Sequence, residues 1–227
     1  MPAGPGSGGF TVPLAGMAKK IVAVEPSPAM RAALSHNLAE AHHVEILPTP
    51  IEDSLPHIHG PFDLALAVYS LYNVLPIDRV IQKLVSEADL IVAVMGMGDG
   101  QAWYHSLYRH FRGRRPVSPP QVEFFYPVLE EMGIQAQVEI VQTSANYVYP
   151  DEVSLIDQWM QRLHANPAQR GELHKMLLPL VEQRGARVGI YGRRCTALVW
   201  FGKRPRIQHP PFQVVLRDSL CYNLPLD

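Results

Sequence analysis

The residues whose types and spacing most clearly suggest chemistry lie near the start of the chain. They are the glycines of Gly4-Pro5-Gly6-Ser7-Gly8-Gly9-Phe10-Thr11, and Glu25, which closes the apolar run from Ile21 to Val24. Glycines at such spacing let a turn adopt φ > 0 and bring its backbone close to a ligand, because no Cβ intervenes. An acid at a strand end about 20 residues further on is where a ribose is usually held. Turn and acid together read as half of a nucleotide-type site. Two more groups stand at the ends of apolar runs: Glu52 and Asp53 in the turn from Thr49 to Pro56, and Tyr69-Ser70-Leu71-Tyr72-Asn73 after Phe62 to Val68. His105 and His110 are further candidates for general bases.

These residues have to be positioned by regular elements. Ile21 to Val24, Val44 to Leu47, Phe62 to Val68 and Asp89 to Met95 read as buried parallel strands, being almost wholly apolar. Helices are expected between them over 10–18, 28–41 and 77–88, the second opened by Ser27 as N-cap and Pro28 at the first helical position. Strict alternation of strand and helix implies a doubly wound, mostly parallel sheet with right-handed crossovers. Only Met1-Pro2-Ala3 precede the glycine turn, so the strand that normally feeds such a turn is expected to be missing. Further along, helices are expected over 103–113, 120–132, 150–163 and 168–184, and a strand over 134–141. Gly185 to Gly192 and Cys195 to Gly202 read as an antiparallel hairpin. The expected organisation is a cofactor-binding half at 1–98, a helical and aromatic region at 99–184, a hairpin completing the sheet at 185–204, and a tail at 205–227.

The chain has 227 residues and a formal net charge of −1, so its global electrostatics do not advertise a nucleic acid or an anionic membrane as partner. The sequence has no signal-peptide h-region and no apolar run of membrane-spanning length, and Cys195 and Cys221 lack CxxC spacing. A cytoplasmic protein with free thiols is expected. His42-His43 and His57-x-His59 lack the remaining ligands of a metal site, so no metal is expected. Arg109, Arg112, Arg114 and Arg115 interleave with aromatics, a combination that stacks bases and grips phosphates. The plainer reading is an amphipathic helix with a solvated basic end, and it is preferred because acids elsewhere offset the charge.

Gly4, Gly6 and Gly9 satisfy the dinucleotide pattern GxGxxG, while Gly4, Gly6 and Gly8 satisfy GxGxG. In order and spacing, GPGSGGFTVPLA, IVAVEPSPAMRAAL, PTPIEDSLP and FDLALAVYSLYNV resemble the first four motifs of class I S-adenosylmethionine-dependent methyltransferases, a Rossmann-like family. The resemblance implies S-adenosylmethionine as cofactor and S-adenosylhomocysteine as product. It implies that Gly4, Gly6 and Gly8 pass under the methionine moiety and that Glu25 accepts from both ribose hydroxyls. Ser27 and Met30 would flank ribose and adenine, Glu52 or Asp53 would receive the adenine amino group, and Val68, Tyr69 and Ser70 would lie beside the sulfonium. The sequence departs from the pattern at Pro2, where the family has an acid. Transfer to a small-molecule acceptor is the leading expectation, with Tyr69 and His105 as candidate bases and Trp103, Tyr104, Phe124, Phe125, Tyr147 and Trp159 as an aromatic pocket. The alternatives are a non-catalytic binding protein on a degenerate fold and an RNA methyltransferase using the arginine cluster. A nicotinamide oxidoreductase is disfavoured by the lack of a Tyr-x-x-x-Lys pair. An open sheet edge would allow oligomerisation.

Overall fold

The computed structural model describes residues 2–3, 5–38, 41–98, 102–117 and 121–203. They fall into two compact units. The first comprises the described residues of 2–96, 121–141 and 196–203; the second comprises those of 97–117 and 142–195.

The first unit is built on a seven-stranded sheet, of which the ends of two strands, 142–144 of β6 and 193–195 of β10, are counted with the second unit. Its strands are β1 (Pro2–Ala3), β2 (Ile21–Val24), β3 (Val44–Leu47), β4 (Phe62–Val68), β5 (Ala88–Gly96), β6 (Gln137–Ser144) and β10 (Arg193–Gly202), in the order β3-β2-β1-β4-β5-β10-β6. Strands β1 to β5 run parallel, and β10 lies antiparallel to β5. The order reverses between β1 and β4, the switch point at which such sheets bind ligands. The strand expected to be absent is therefore present as two residues: Ala3 pairs with Val24 on one side and Ala67 on the other.

The helices follow from local signals. α1 (Thr11–Ala15) carries Pro13 in its first turn, where no intrahelical N–H is lost. α2 (Pro28–Asn37) is opened by Ser27, whose hydroxyl accepts from the Met30 N–H. It ends four residues before the expected 41. Leu34 and Leu38 reach Ile21 and Ala23 of β2, with Leu14 and Ala15 of α1 packed alongside. The expected turn over 49–56 instead contains α3 (Ile51–Ser54) followed by a 3-10 turn at Leu55–His57. α4 (Ile77–Glu87) buries Val80, Ile81 and Leu84, each such side chain contributing about 1.5–3 kcal/mol. α6 (Val122–Glu131) packs Phe125 against Phe201 of β10.

The second unit holds α5 (Ala102–Arg112), β7 (Tyr147–Tyr149), α7 (Glu152–Leu163), α8 (Arg170–Leu177), β8 (Glu182–Arg184) and β9 (Arg187–Ile190). Asp151 caps α7 through the Ser154 N–H at 2.7 Å, and His164 ends it in a left-handed conformation. Leu107, Leu155, Trp159, Leu163, Leu173 and Leu177 form the core. The helix expected over 168–184 is shorter. Pro179 follows in a 3-10 turn at Leu178–Leu180, and Glu182–Arg184 becomes a strand.

The expected hairpin of 185–192 with 195–202 does not form. β9 pairs with β8 and β7 in a separate three-stranded sheet, whereas β10 inserts beside β5. Both runs are short and β-prone, and partner choice is decided by long-range contacts that periodicity does not encode. The true hairpin is β8–β9, turning at Gly185 with φ of 61°. Cys195, expected to be a free thiol, is disulfide-bonded. Cys221 and the tail from residue 204 lie outside the described residues.

Candidate functional site

Strand register brings the sequence-predicted residues to one edge. Ala3 lies beside Val24 and Ala67, and Val24 beside Leu47. The next residues of each strand, the glycine turn, Glu25, the turn before Glu52 and the Val68-Tyr69-Ser70 group, therefore emerge together at the C-terminal edge of the sheet. Gly4 lies outside the described residues.

The turn closes with the Gly8 N–H donating to the Pro5 carbonyl at 3.0 Å. Gly6 has φ of 56° and Gly8 φ of 103°. A Cβ on Gly8 would stand 2.9 Å from both Leu34 Cδ1 and Val12 Cγ2, whereas one on Gly6 would meet nothing within 4 Å. Gly8 is thus required for packing under the turn, and the space above Gly6 is open to a ligand.

Glu25 is buried, 6% exposed, and both its oxygens are engaged. Oε2 accepts from the Gly6 N–H at 3.0 Å and Oε1 from the Ser27 N–H at 2.9 Å. Each carboxylate oxygen has two acceptor positions, so one per oxygen remains for a ligand hydroxyl. Arg31 secures the same corner: its guanidinium donates to the carbonyls of Glu25 at 3.0 Å, Pro26 at 2.7 Å and Pro48 at 3.3 Å. Nothing in the sequence distinguished Arg31 from a solvated helix residue. Ser27 Oγ is used as the helix cap, and Met30 is 46% exposed. Glu52 Oε1 accepts weakly from the Leu75 N–H at 3.4 Å, while the Asp53 side chain is exposed and makes no hydrogen bond among the described residues.

On the other side of the switch point, Val68 pairs with Val94 and Tyr69 follows with φ of 49°. A bulky residue holds this conformation only when its surroundings fix it. Here the Tyr69 N–H donates to the Val94 carbonyl and the phenol hydrogen-bonds the buried Thr196 hydroxyl, both at 2.8 Å. Ser70 Oγ is buried without a hydrogen-bond partner among the described residues. Tyr72 accepts from the Gly96 N–H at 2.8 Å, and a Cβ on Gly96 would meet Gln121 Oε1 at 3.2 Å. Gly96 is the register partner of Thr196, so Tyr69, Tyr72, Thr196 and Gln121 form an uncharged polar group at this edge. Sequence reading missed Thr196 and Gln121, because strand β10 and helix α6 bring them in from more than 100 and about 50 residues away.

The second base candidate, His105, is half-buried on α5 in the second unit, its ring 6.1 Å from that of Tyr104. Of the expected aromatic pocket, Trp103, Tyr104, Tyr147 and Trp159 pack on one another with ring centroids 5.2–6.3 Å apart. Arg162 stacks over Tyr147 and Trp159 at 5.0 and 4.9 Å. Burial pushes the phenols of Tyr104 and Tyr149 above the usual tyrosine range. Phe124 is 69% exposed and Phe125 is buried in the first unit. These aromatics serve as core in two units, except Phe124.

A parallel sheet that reverses its order beside a glycine turn, with an acid holding that turn, defines a Rossmann-like nucleotide-type α/β domain. Residues 1–90 match the profile of the methyltransferase domain family. No curated protein matches the sequence. Among solved structures, the YcgJ protein of Bacillus subtilis shares 13% identity over 89% of this chain and 90% of its own, with a TM-score of 0.57. A methyltransferase candidate from Bacillus halodurans C-125 gives the same identity and coverages, with a TM-score of 0.58. A candidate sarcosine dimethylglycine methyltransferase from Galdieria sulphuraria gives 9%, 89%, 77% and 0.50. These likenesses concern the fold. The family match is confined to residues 1–90 of the 227, and beyond it the likeness to solved structures is one of fold. No helix among the described residues is long and apolar enough to cross a membrane.

Proposed function

We propose that the chain binds S-adenosylmethionine at the switch point between β1 and β4 and transfers its methyl group to a small-molecule acceptor. The observation that carries this reading is the Glu25 carboxylate, buried, fastened to the glycine turn at Gly6, and retaining one acceptor position on each oxygen. The cofactor supplies a methyl group already activated on a sulfonium. Glu25 would hold the ribose hydroxyls, with the open space above Gly6 taking the chain that leads to sulfur. Ser27 and Met30 would border the ribose and adenine, and Asp53 is preferred to Glu52 for the adenine amino group because its carboxylate is uncommitted. Val68, Tyr69 and Ser70 would face the reacting centre.

The protein's task is then to align an acceptor with the S–CH₃ bond and exclude water. Such positioning accounts for roughly 7–11 kcal/mol of a barrier. The uncharged group of Tyr69, Tyr72, Thr196 and Gln121 suits a neutral, hydrogen-bonding acceptor. Tyr69, fixed by Thr196, acts in this reading through orientation, and it would take a proton only from an acceptor hydroxyl or protonated amine. Calorimetric titration of S-adenosylmethionine tests the proposal: micromolar binding, weakened by Glu25→Ala and not reproduced by NAD, supports it, and absence of binding returns the fold to a non-catalytic role. An acceptor carried on a nucleic acid is a second reading, favoured by the distribution of charge between the two units.

A further inference from the structure

The near-neutral net charge conceals a segregation. Among the described residues, the second unit contains eleven Lys/Arg and five Asp/Glu, a formal +6. The first unit's described residues contain six Lys/Arg and twelve Asp/Glu, a formal −6. The acids that made the arginine cluster look balanced in the sequence belong to the other unit.

Within the second unit the described acids are also committed. Asp151 caps α7, Glu152 meets His174 at 2.5 Å, Asp157 meets Arg170, Glu172 meets His110 at 2.8 Å, and Glu182 meets Arg184 at 2.7 Å. Arg109, Arg112, Arg114 and Arg115, at and just beyond the C-terminus of α5, are exposed and pair with no carboxylate among the described residues. A helix C-terminus favours cations in its last turn, which accounts for Arg109 and Arg112 but not for Arg114 and Arg115, past the end. Arg114 lies over the Tyr108 ring at 5.9 Å. On the β8–β9 hairpin, Arg184 stacks on Tyr191 at 3.7 Å, with the exposed Arg187 as its cross-strand neighbour.

We infer that the arginine group ending α5 is a docking surface for a single-stranded nucleic acid. The choice of occupant rests on charge complementarity and on side-chain type. Ten of the unit's eleven cations are arginine. Arginine's planar fork grips phosphate with two donors and stacks on bases and rings, whereas an anionic lipid surface draws lysine equally well. The inference does not depend on the chain transferring methyl groups, since docking is read without cofactor.

The test is fluorescence anisotropy of a labelled single-stranded RNA of about 20 nucleotides titrated with the full chain. The DNA of the same sequence and phosphatidylserine-containing vesicles serve as comparators. If four arginines each meet a phosphate, a slope of about −0.7 per contact predicts roughly fiftyfold weaker binding between 50 and 200 mM salt. The triple variant R112E/R114E/R115E should lose at least tenfold in affinity while keeping its melting temperature. R79E/K83E, on the first unit, should bind as the parent does. No binding at 50 mM salt, salt-independent binding, an unaffected triple variant, or binding of vesicles in preference to both nucleic acids would each overturn the inference.

Discussion

Replacing Glu25 separates its two roles, strut and ligand, by different readouts. In the folded chain the carboxylate accepts the N–H groups of Gly6 and Ser27 at 3.0 and 2.9 Å. Hydrogen bonds to a charged partner contribute about 1.5–3 kcal/mol each, giving an upper bound of about 3–6 kcal/mol for their loss. Gly6 and Ser27 are half-buried, so water replaces part of what Glu25→Ala removes, and the expected cost falls to about 2–3 kcal/mol. For a chain of this size that lowers the melting temperature by about 4–12 °C. Glu25→Gln keeps a single carbonyl oxygen and turns an NH₂ toward the other donor, so it should fall between the parent and the alanine variant. Losing the ribose acceptor costs a further 2–3 kcal/mol of binding, so calorimetry on the folded variant should show S-adenosylmethionine weakened by about 30-fold or more. A melting temperature within about 1 °C of the parent would refute the strut. Unchanged cofactor affinity in a variant that melts early would refute the ribose role while leaving the strut in place.

The remaining predictions concern the turn, the strained tyrosine and a helix cap. Gly8→Ala, with φ of 103° and two side chains 2.9 Å from its new Cβ, should destabilise the fold by about 1–3 kcal/mol in urea unfolding, whereas Gly9→Ala meets nothing within 4 Å and should be near neutral. Tyr69→Phe removes the hydroxyl contact to Thr196 and should cost about 1 kcal/mol of stability. If it orients the acceptor, single-turnover methyl transfer should slow tenfold or more at unchanged cofactor affinity, and Thr196→Val should follow it, whereas Thr196→Ser should retain the rate. The Ser154 N–H holds the Asp151 carboxyl below the usual carboxylate range. A depressed folded-state value means the charge stabilises the fold at neutral pH and that this contribution is lost as pH falls through that value, below about pH 4. Asp151→Asn, which keeps a capping oxygen, should therefore melt lower than the parent at pH 7 and converge with it in acid.

Local order was legible in the sequence wherever side chains carry their own instruction. The strands Ile21–Val24, Val44–Leu47 and Phe62–Val68 stand where apolar runs placed them. Ser27-Pro28 opened its helix because a hydroxyl cap and a proline lacking N–H both suit a first turn. The glycine turn and Glu25 were legible because only glycine takes φ > 0 cheaply and because an acid closing an apolar strand is conspicuous. Their partnership through the Gly6 N–H was not, since a carboxylate 19 residues away can face solvent, ligand or backbone with the same sequence.

Tertiary structure alone decided which strands pair, which polar groups meet and where charge collects. β9 and β10 are adjacent in the chain and similar in composition, yet they enter different sheets, because a strand chooses its partner by the surface it buries across the interface. Thr196 reaches Tyr69, and Gln121 reaches Gly96, only once β10 has inserted beside β5 and α6 has packed on it. The arginines of α5 looked neutralised as a sum over 227 residues. Coulomb interactions depend on distance and screening rather than on totals, and the fold gathers the offsetting acids into the other unit.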